Sequence, residues 1–241
     1  MRPRDLSTAL LLSLLPCTLS AGNWAHWRGP TGNGNAPEAK PPVEWSATKN
    51  GKRKVQVPGR SSGSPVVWED QVFVVSAVPV GGEAKQAASA EQPAQPAQAQ
   101  GQRGQRRGPG RRGGGRPGGR GPGGFDGQNL SKLAFKIFCF DRATGKLRWE
   151  KTAVESTPHQ GTHSTNGFAS ASPCTDGKHV YAHFGSRGLY CYTMDGELVW
   201  KRDDFGKMDT RNGFGEGSSP TLAGDKILVP WDHDGPSALY A

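Results

Sequence analysis

Between residues 171 and 200 the chain runs through four short stretches in which Val, Tyr, Phe and Leu alternate with polar or small residues. The breaks fall at Asp176-Gly177, Ser186-Arg187-Gly188 and Asp195-Gly196. Asp-Gly pairs supply the positive φ angles of tight hairpin turns, so the pattern predicts four antiparallel strands. An earlier copy begins at Gly63-Ser64-Pro65-Val66-Val67-Trp68, reaches Ser76, and resumes at Lys136-Ile137-Phe138-Cys139-Phe140 to close on Trp149. A third begins at Ser218-Ser219-Pro220, and its Leu239-Tyr240-Ala241 matches Leu189-Tyr190-Cys191.

The spacings turn this likeness into a repeat. Pro173 to Trp200 is 27 residues and Pro65 to Trp149 is 84, a difference of 57 that places an insert at residues 77–133. Trp149 to Trp200 is 51 residues, and Pro173 to Pro220 is 47. Four strands every 45–50 residues is the period of a propeller blade. The expected organisation is an N-terminal segment and the start of the first clear blade at 22–76, the insert at 77–133, and the remainder at 134–241, with one full blade at about 168–202. A hairpin loop can grow this long at small entropic cost.

Composition changes the picture mainly at the insert. The net charge of +9 suggests a basic domain. Yet residues 81–124 hold eight Lys/Arg against two Glu, and 14 of the 35 glycines. Ala/Gln/Pro at 87–100 gives way to seven arginines between Arg103 and Arg120, set among Gly and Pro. With almost nothing to bury, the insert is expected to be disordered. The Arg/Gly run also suits contact with a polyanion, although it has no aromatic residue before Phe125 for base stacking.

The chain opens on Arg2 and Arg4, an apolar run from Leu6 to Leu15, and small residues at 18–21. That layout reads as a secretory signal peptide at 1–21, with an uncleaved amphipathic anchor as the alternative. The run is too short to span a bilayer, and no other segment is apolar enough to do so. Cys17 raises lipidation, but Pro16 before it fits that processing badly. The expected location is therefore periplasmic or extracellular. Cys139, Cys174 and Cys191 sit in strand-like runs and read as small core residues, with one disulfide open as an alternative. About 163 residues remain once leader and insert are set aside, which is near three blades. Closed propellers have at least four, so the reading is the front part of a larger one with an exposed sheet edge.

The Ser-Pro opening, the Leu-Tyr-Cys-Tyr strand, the Thr-Gly-Lys or Asp-Gly-Glu turn and the closing Trp resemble the pyrrolo-quinoline-quinone (PQQ) repeat. Asn23-Trp24-Ala25-His26-Trp27-Arg28-Gly29-Pro30, the segment His159 to Ser170, and Trp231-Asp232-His233-Asp234-Gly235 resemble, more closely, exported PQQ-binding-like propeller proteins of planctomycete type, which are described as BamB-like. The resemblance covers residues 23–76 and 133–241. It implies an all-β fold: a β-propeller of four-stranded antiparallel blades, quinoprotein alcohol dehydrogenase-like, incomplete and carrying the insert. It also implies that Trp149 and Trp200 dock between neighbouring blades, where indoles bury much apolar area.

Members of this fold divide into quinone-dependent dehydrogenases, with calcium or a lanthanide at the axis, and non-catalytic scaffolds. The chain lacks the adjacent cysteine pair many of the former carry. The expectation is a non-catalytic binding or scaffolding module of the cell envelope with no cofactor, its partner an envelope protein, peptide or glycan. Two alternatives stand beside it. One is a fragment of a PQQ-dependent dehydrogenase with calcium; the other is polyanion binding through Arg103–Arg120. Segments entering inner strands lie near the axial mouth, which singles out His159, His163 and Asn166, then Arg211, Asn212 and Glu216, and then Asp232, His233 and Asp234. These can be turns capping their own backbone, ligand contacts, or a metal site.

Overall fold

The computed structural model describes residues 22–37, 39–46, 48–81, 130–210 and 213–241. The expected signal peptide at 1–21, Cys17, and residues 82–129 of the expected insert lie outside the described residues.

The described chain is all-β, and a 3-10 turn at Gly185–Arg187 joins two of its strands. Sheet I contains β1 (Val66–Trp68), β2 (Gln71–Pro79), β3 (Leu133–Asp141) and β4 (Leu147–Ser156) in that order. Sheet II repeats the order with β5 (Cys174–Thr175), β6 (His179–His183), β7 (Leu189–Thr193) and β8 (Leu198–Arg202). Sheet III holds β9 (Thr221–Ala223), β10 (Lys226–Trp231) and β11 (Ala238–Tyr240). All neighbours pair antiparallel. The three sheets are successive blades of a partial propeller, with β1, β5 and β9 as adjacent inner strands.

The ladder of β2 with β3 extends to Pro79 opposite Leu133, and Val80 N–H donates to the Lys132 carbonyl at 2.9 Å. Residues 77–79 and 133 are therefore strand. Counting spacings against the next blade measures the excess length, and it cannot register that this hairpin has longer arms.

The registers reproduce the repeat. Val66, Phe73, Cys139 and Trp149 form one cross-strand row, and Cys174, Tyr181, Cys191 and Trp200 form the matching one. A register shift follows Cys139 in sheet I and Cys191 in sheet II, at the same place in the repeat. Such bulges re-aim the strand that follows. The central strands differ from simple alternation. Four of the five residues of β7 and seven of the nine of β3 are buried, so both faces of these strands are covered. A blade is packed between neighbours, which favours near-continuous apolar runs such as Ile137-Phe138-Cys139-Phe140.

The main core lies between sheets I and II. Phe73, Val75, Phe135 and Ile137 meet Val180, Ala182, Tyr190 and Tyr192 there. The three described cysteines are buried free thiols, and burial pushes each up to about 12. Trp149 crosses between the blades: its ring approaches Tyr192, and its Nε1–H donates to the Met194 carbonyl at 2.9 Å. The same carbonyl accepts from Gln71 Nε2. Gly196 makes this docking fit, because a Cβ there would stand 2.7 Å from the indole, and its φ of 86° suits glycine. Trp200 lies against Tyr181 of its own sheet and is 37% exposed.

Two further bonds join the inner strands, and both come from the Ser-Pro openings. Ser64 N–H donates to Ser172 Oγ at 2.8 Å, and Ser172 N–H donates to Ser219 Oγ at 2.9 Å. Each blade thus hands one backbone donor to the next blade's serine. Proline after the serine needs no partner for its own nitrogen. Ser172→Ala should leave the Ser64 N–H unpaired and cost about 1–3 kcal/mol in urea unfolding. Lys151→Ala, which breaks only the exposed pair with Glu197, should cost under about 1 kcal/mol in the same measurement.

Candidate functional site

In an antiparallel four-stranded blade, the turn between the second and third strands and the linker to the next blade emerge at one end. That end carries residues 157–173, 203–220, the Gly185–Arg187 turn, the Asp232–Ser237 turn, and the point where residues 82–129 leave sheet I. Every described residue singled out as a ligand contact therefore lies on one face, the mouth.

The two linkers are zipped to each other there. His159 Nε2–H donates to the Met208 carbonyl at 2.7 Å. Gln160 Nε2 donates to Thr210 Oγ1, and Thr210 N–H returns a bond to Gln160 Oε1. Thr162 Oγ1 and Asn166 Nδ2 both donate to the Phe214 carbonyl, at 3.1 and 3.0 Å. Asn166 Oδ1 also accepts from Gly167 N–H and Ser170 Oγ, which fixes its own turn. His163 stacks on Phe214 with ring centroids 5.6 Å apart, and its Nδ1 pairs with Thr165 Oγ1.

Beneath this zip sits a buried ion pair. Glu216 Oε2 accepts from Arg187 Nη1 at 3.0 Å and from Ser186 N–H at 2.6 Å, and Oε1 accepts from Ser186 Oγ at 2.7 Å. Both charged side chains are under a tenth exposed. Arg187 Nη2 reaches His159 Nδ1 at 3.4 Å, and its guanidinium lies 5.3 Å over the Phe135 ring. Ser186 Oγ accepts from Met208 N–H at 2.7 Å. One carboxylate thereby ties both linkers to the turn of sheet II and, through Phe135, to sheet I. Sequence reasoning picked out Glu216 and His159 but read Ser186-Arg187-Gly188 as a turn. Nothing local marks Arg187 as buried, since its partners stand 28 and 29 residues away.

The third cluster folds on itself. Asp232 Oδ1 accepts from Ser237 Oγ, and His233 Nδ1 accepts from the Asp209 and Gly235 amides at 3.1 and 3.0 Å. Asp234 N–H donates to the Asp209 carbonyl at 2.8 Å, tying the turn to the second linker. Arg211 and Asn212 lie outside the described residues.

A family model described as outer membrane protein assembly factor BamB matches residues 81–235. The chain belongs to this BamB-like PQQ-repeat family. No curated protein matches it. The matched span takes in the mouth linkers and all of sheet II of the BamB-like fold. The repeat's name raises a quinone with calcium, which needs several oxygen donors to converge. Among the described residues no group of three or more His, Cys, Asp and Glu side chains converges in that way. The buried carboxylate, Glu216, is already neutralised by Arg187. Glu216 and His159 at the mouth are thus committed to protein partners. No helix among the described residues is long and apolar enough to cross a membrane.

His183 stands apart from the zip. It is 1% exposed, its Nδ1–H donates to the Ser218 carbonyl at 2.9 Å, and its Nε2 has no partner. The rings of Phe205 and Trp231 lie against it. Burial holds its pKa below the ordinary 6.5, against smaller upward pulls from the bond to the Ser218 carbonyl and from Glu216.

Removing one partner of a buried pair leaves an uncompensated charge. Glu216→Ala should cost about 3–5 kcal/mol in urea unfolding, and adding Arg187→Met should restore most of the loss. His183 contributes stability that is fully present above its unfolded pKa of 6.5 and is lost as pH falls toward its lower folded value. Unfolding free energy should drop on acidification below about pH 6.5, and His183→Phe should flatten that limb.

Proposed function

We propose that this BamB-like protein is an exported, non-catalytic scaffold of the cell envelope that binds an envelope protein, peptide or glycan at its mouth. Family membership supports an interaction role, since the matching model is described as an assembly factor of the outer membrane. The observation that carries the reading is the linker zip. His159, Gln160, Asn166, Ser186, Arg187 and Glu216 are spent on holding two linkers and a turn together. A mouth held this way binds without the ordering cost of mobile loops. It presents the half-exposed ring of Phe214 on His163 as an aromatic contact of the kind that interfaces favour. In this reading 1–21 directs export, and residues 80–132 are an insertion at the mouth end of the β2–β3 hairpin.

The insert supports a second reading, because the β2–β3 connection in which Arg103–Arg120 fall opens at the mouth end of sheet I. Site-specific photo-cross-linking in the native envelope separates the two. A cross-linking residue at Phe214 should capture the same partner in the full chain and in a chain lacking 82–129. A residue at Lys178, in a turn at the other end of the blade, should capture none. Equal adducts from both positions, or none from either, would overturn the mouth reading. Capture lost with the insert would assign binding to the arginines.

A further inference from the structure

The segment Asn23 to Pro30 takes no part in the mouth, yet it is built into the propeller axis. Trp24 exchanges two backbone bonds with Val67 on the free edge of β1, at 2.8 and 2.9 Å. The Ala25 carbonyl accepts from Thr175 N–H on β5 at 3.0 Å. His26 Nε2 pairs with Thr221 Oγ1 on β9 at 3.1 Å. Three successive residues therefore strap the three inner strands in order. The strap then turns sharply. Gly29 N–H donates to the His26 carbonyl at 2.8 Å, and Arg28 N–H donates to His26 Nδ1. Gly29, at φ 74°, packs on the Trp24 indole, where a Cβ would stand 2.6 Å from Cη2.

Trp24, His26 and Gly29 hold this turn, while Trp27 and Arg28 are left at the surface. Trp27 is 45% exposed, and the Arg28 guanidinium lies 5.1 Å over its ring. Both line a cleft of about 510 Å³ whose lining also includes Pro30 and, from the inner strands, Cys174, Thr175 and Thr221. That volume is within the range of small-molecule sites. No Asp or Glu lines the cleft, and Arg28 makes no ion pair among the described residues. Burial and the nearby Arg28 both push His26 below its usual pKa, so at neutral pH the cleft's one cation is the guanidinium.

We propose that the cleft binds a small carboxylate with a flat apolar face, the carboxylate on Arg28 and the face on Trp27. Arginine matches a carboxylate with two parallel N–H donors, and an indole offers a rigid apolar platform beside it. A ring sugar acid and an aromatic acid share this chemistry. The site is independent of the mouth reading, because none of the mouth residues lines it.

Titration calorimetry on the full chain tests it with digalacturonate, indole-3-acetate and the neutral disaccharide galactobiose. At least one acid should bind saturably in the micromolar-to-millimolar range, with galactobiose at least tenfold weaker. Binding of the first acid alone identifies a sugar acid as the source, and of the second alone an aromatic acid. Arg28→Gln and Trp27→Ala, both surface changes, should each weaken binding about tenfold or more with the unfolding midpoint kept. No saturable binding of either acid, equal binding of galactobiose, or unchanged affinity in Arg28→Gln would each overturn the proposal. Cross-linking at Phe214 is unaffected by any of these results.

Discussion

The hydrogen bond from the serine amide of one blade to the serine hydroxyl of the next is the constraint around which the other contacts are arranged. An inner strand has one neighbour in its own sheet, so its other edge carries backbone groups that need partners elsewhere. Just ahead of these strands, Ser172 and Ser219 each accept a backbone N–H from the entry of the preceding blade, at 2.8 and 2.9 Å. The two bonds hold the strand entries side by side. Given that alignment, the strap from Trp24 to His26 can reach β1, β5 and β9 with consecutive residues. The outer parts of the blades then meet at the distance that lets Trp149 reach Met194.

The mouth follows from the same alignment at the opposite end of the linkers. Linkers entering adjacent inner strands run next to each other, and their polar side chains pair across the gap. Glu216 and Arg187 lie beneath them with three hydrogen bonds on the carboxylate and two from the guanidinium, the kind of pairing that makes a buried ion pair tolerable. The result is a face in which charged groups support surface shape. The strap side is arranged in the other way: Trp24, His26 and Gly29 are consumed by structure, and Trp27 and Arg28 are left over.

The repeat was legible along the chain because turn residues and tryptophans recur at fixed spacing, and spacing is a one-dimensional property. Asp-Gly pairs, the closing Trp and the Ser-Pro opening identify strands, their order and their antiparallel pairing without any knowledge of what they pack against. The burial of both faces of β3 and β7 was less legible, because apolar runs are compatible with more than one environment until the neighbouring blades are present. His159, His163, Asn166, Glu216 and Asp232 to Asp234 could be gathered onto one face by topology alone. The partners of His159, His163, Asn166 and Glu216 could not be named, since Met208, Phe214 and Arg187 are 28 to 51 residues away on other segments.

The sequence by itself therefore determined a β repeat of blade length, where it is interrupted, and which residues close each unit. Local hydrogen-bonding geometry and hydrophobic periodicity suffice for that. Tertiary structure decided what each closing residue meets. Trp149 is docked because sheet II offers it the Met194 carbonyl and the Gly196 turn, 45 and 47 residues further along the chain. A side chain's burial is a property of the surface that meets it, and that surface comes from a distant part of the chain.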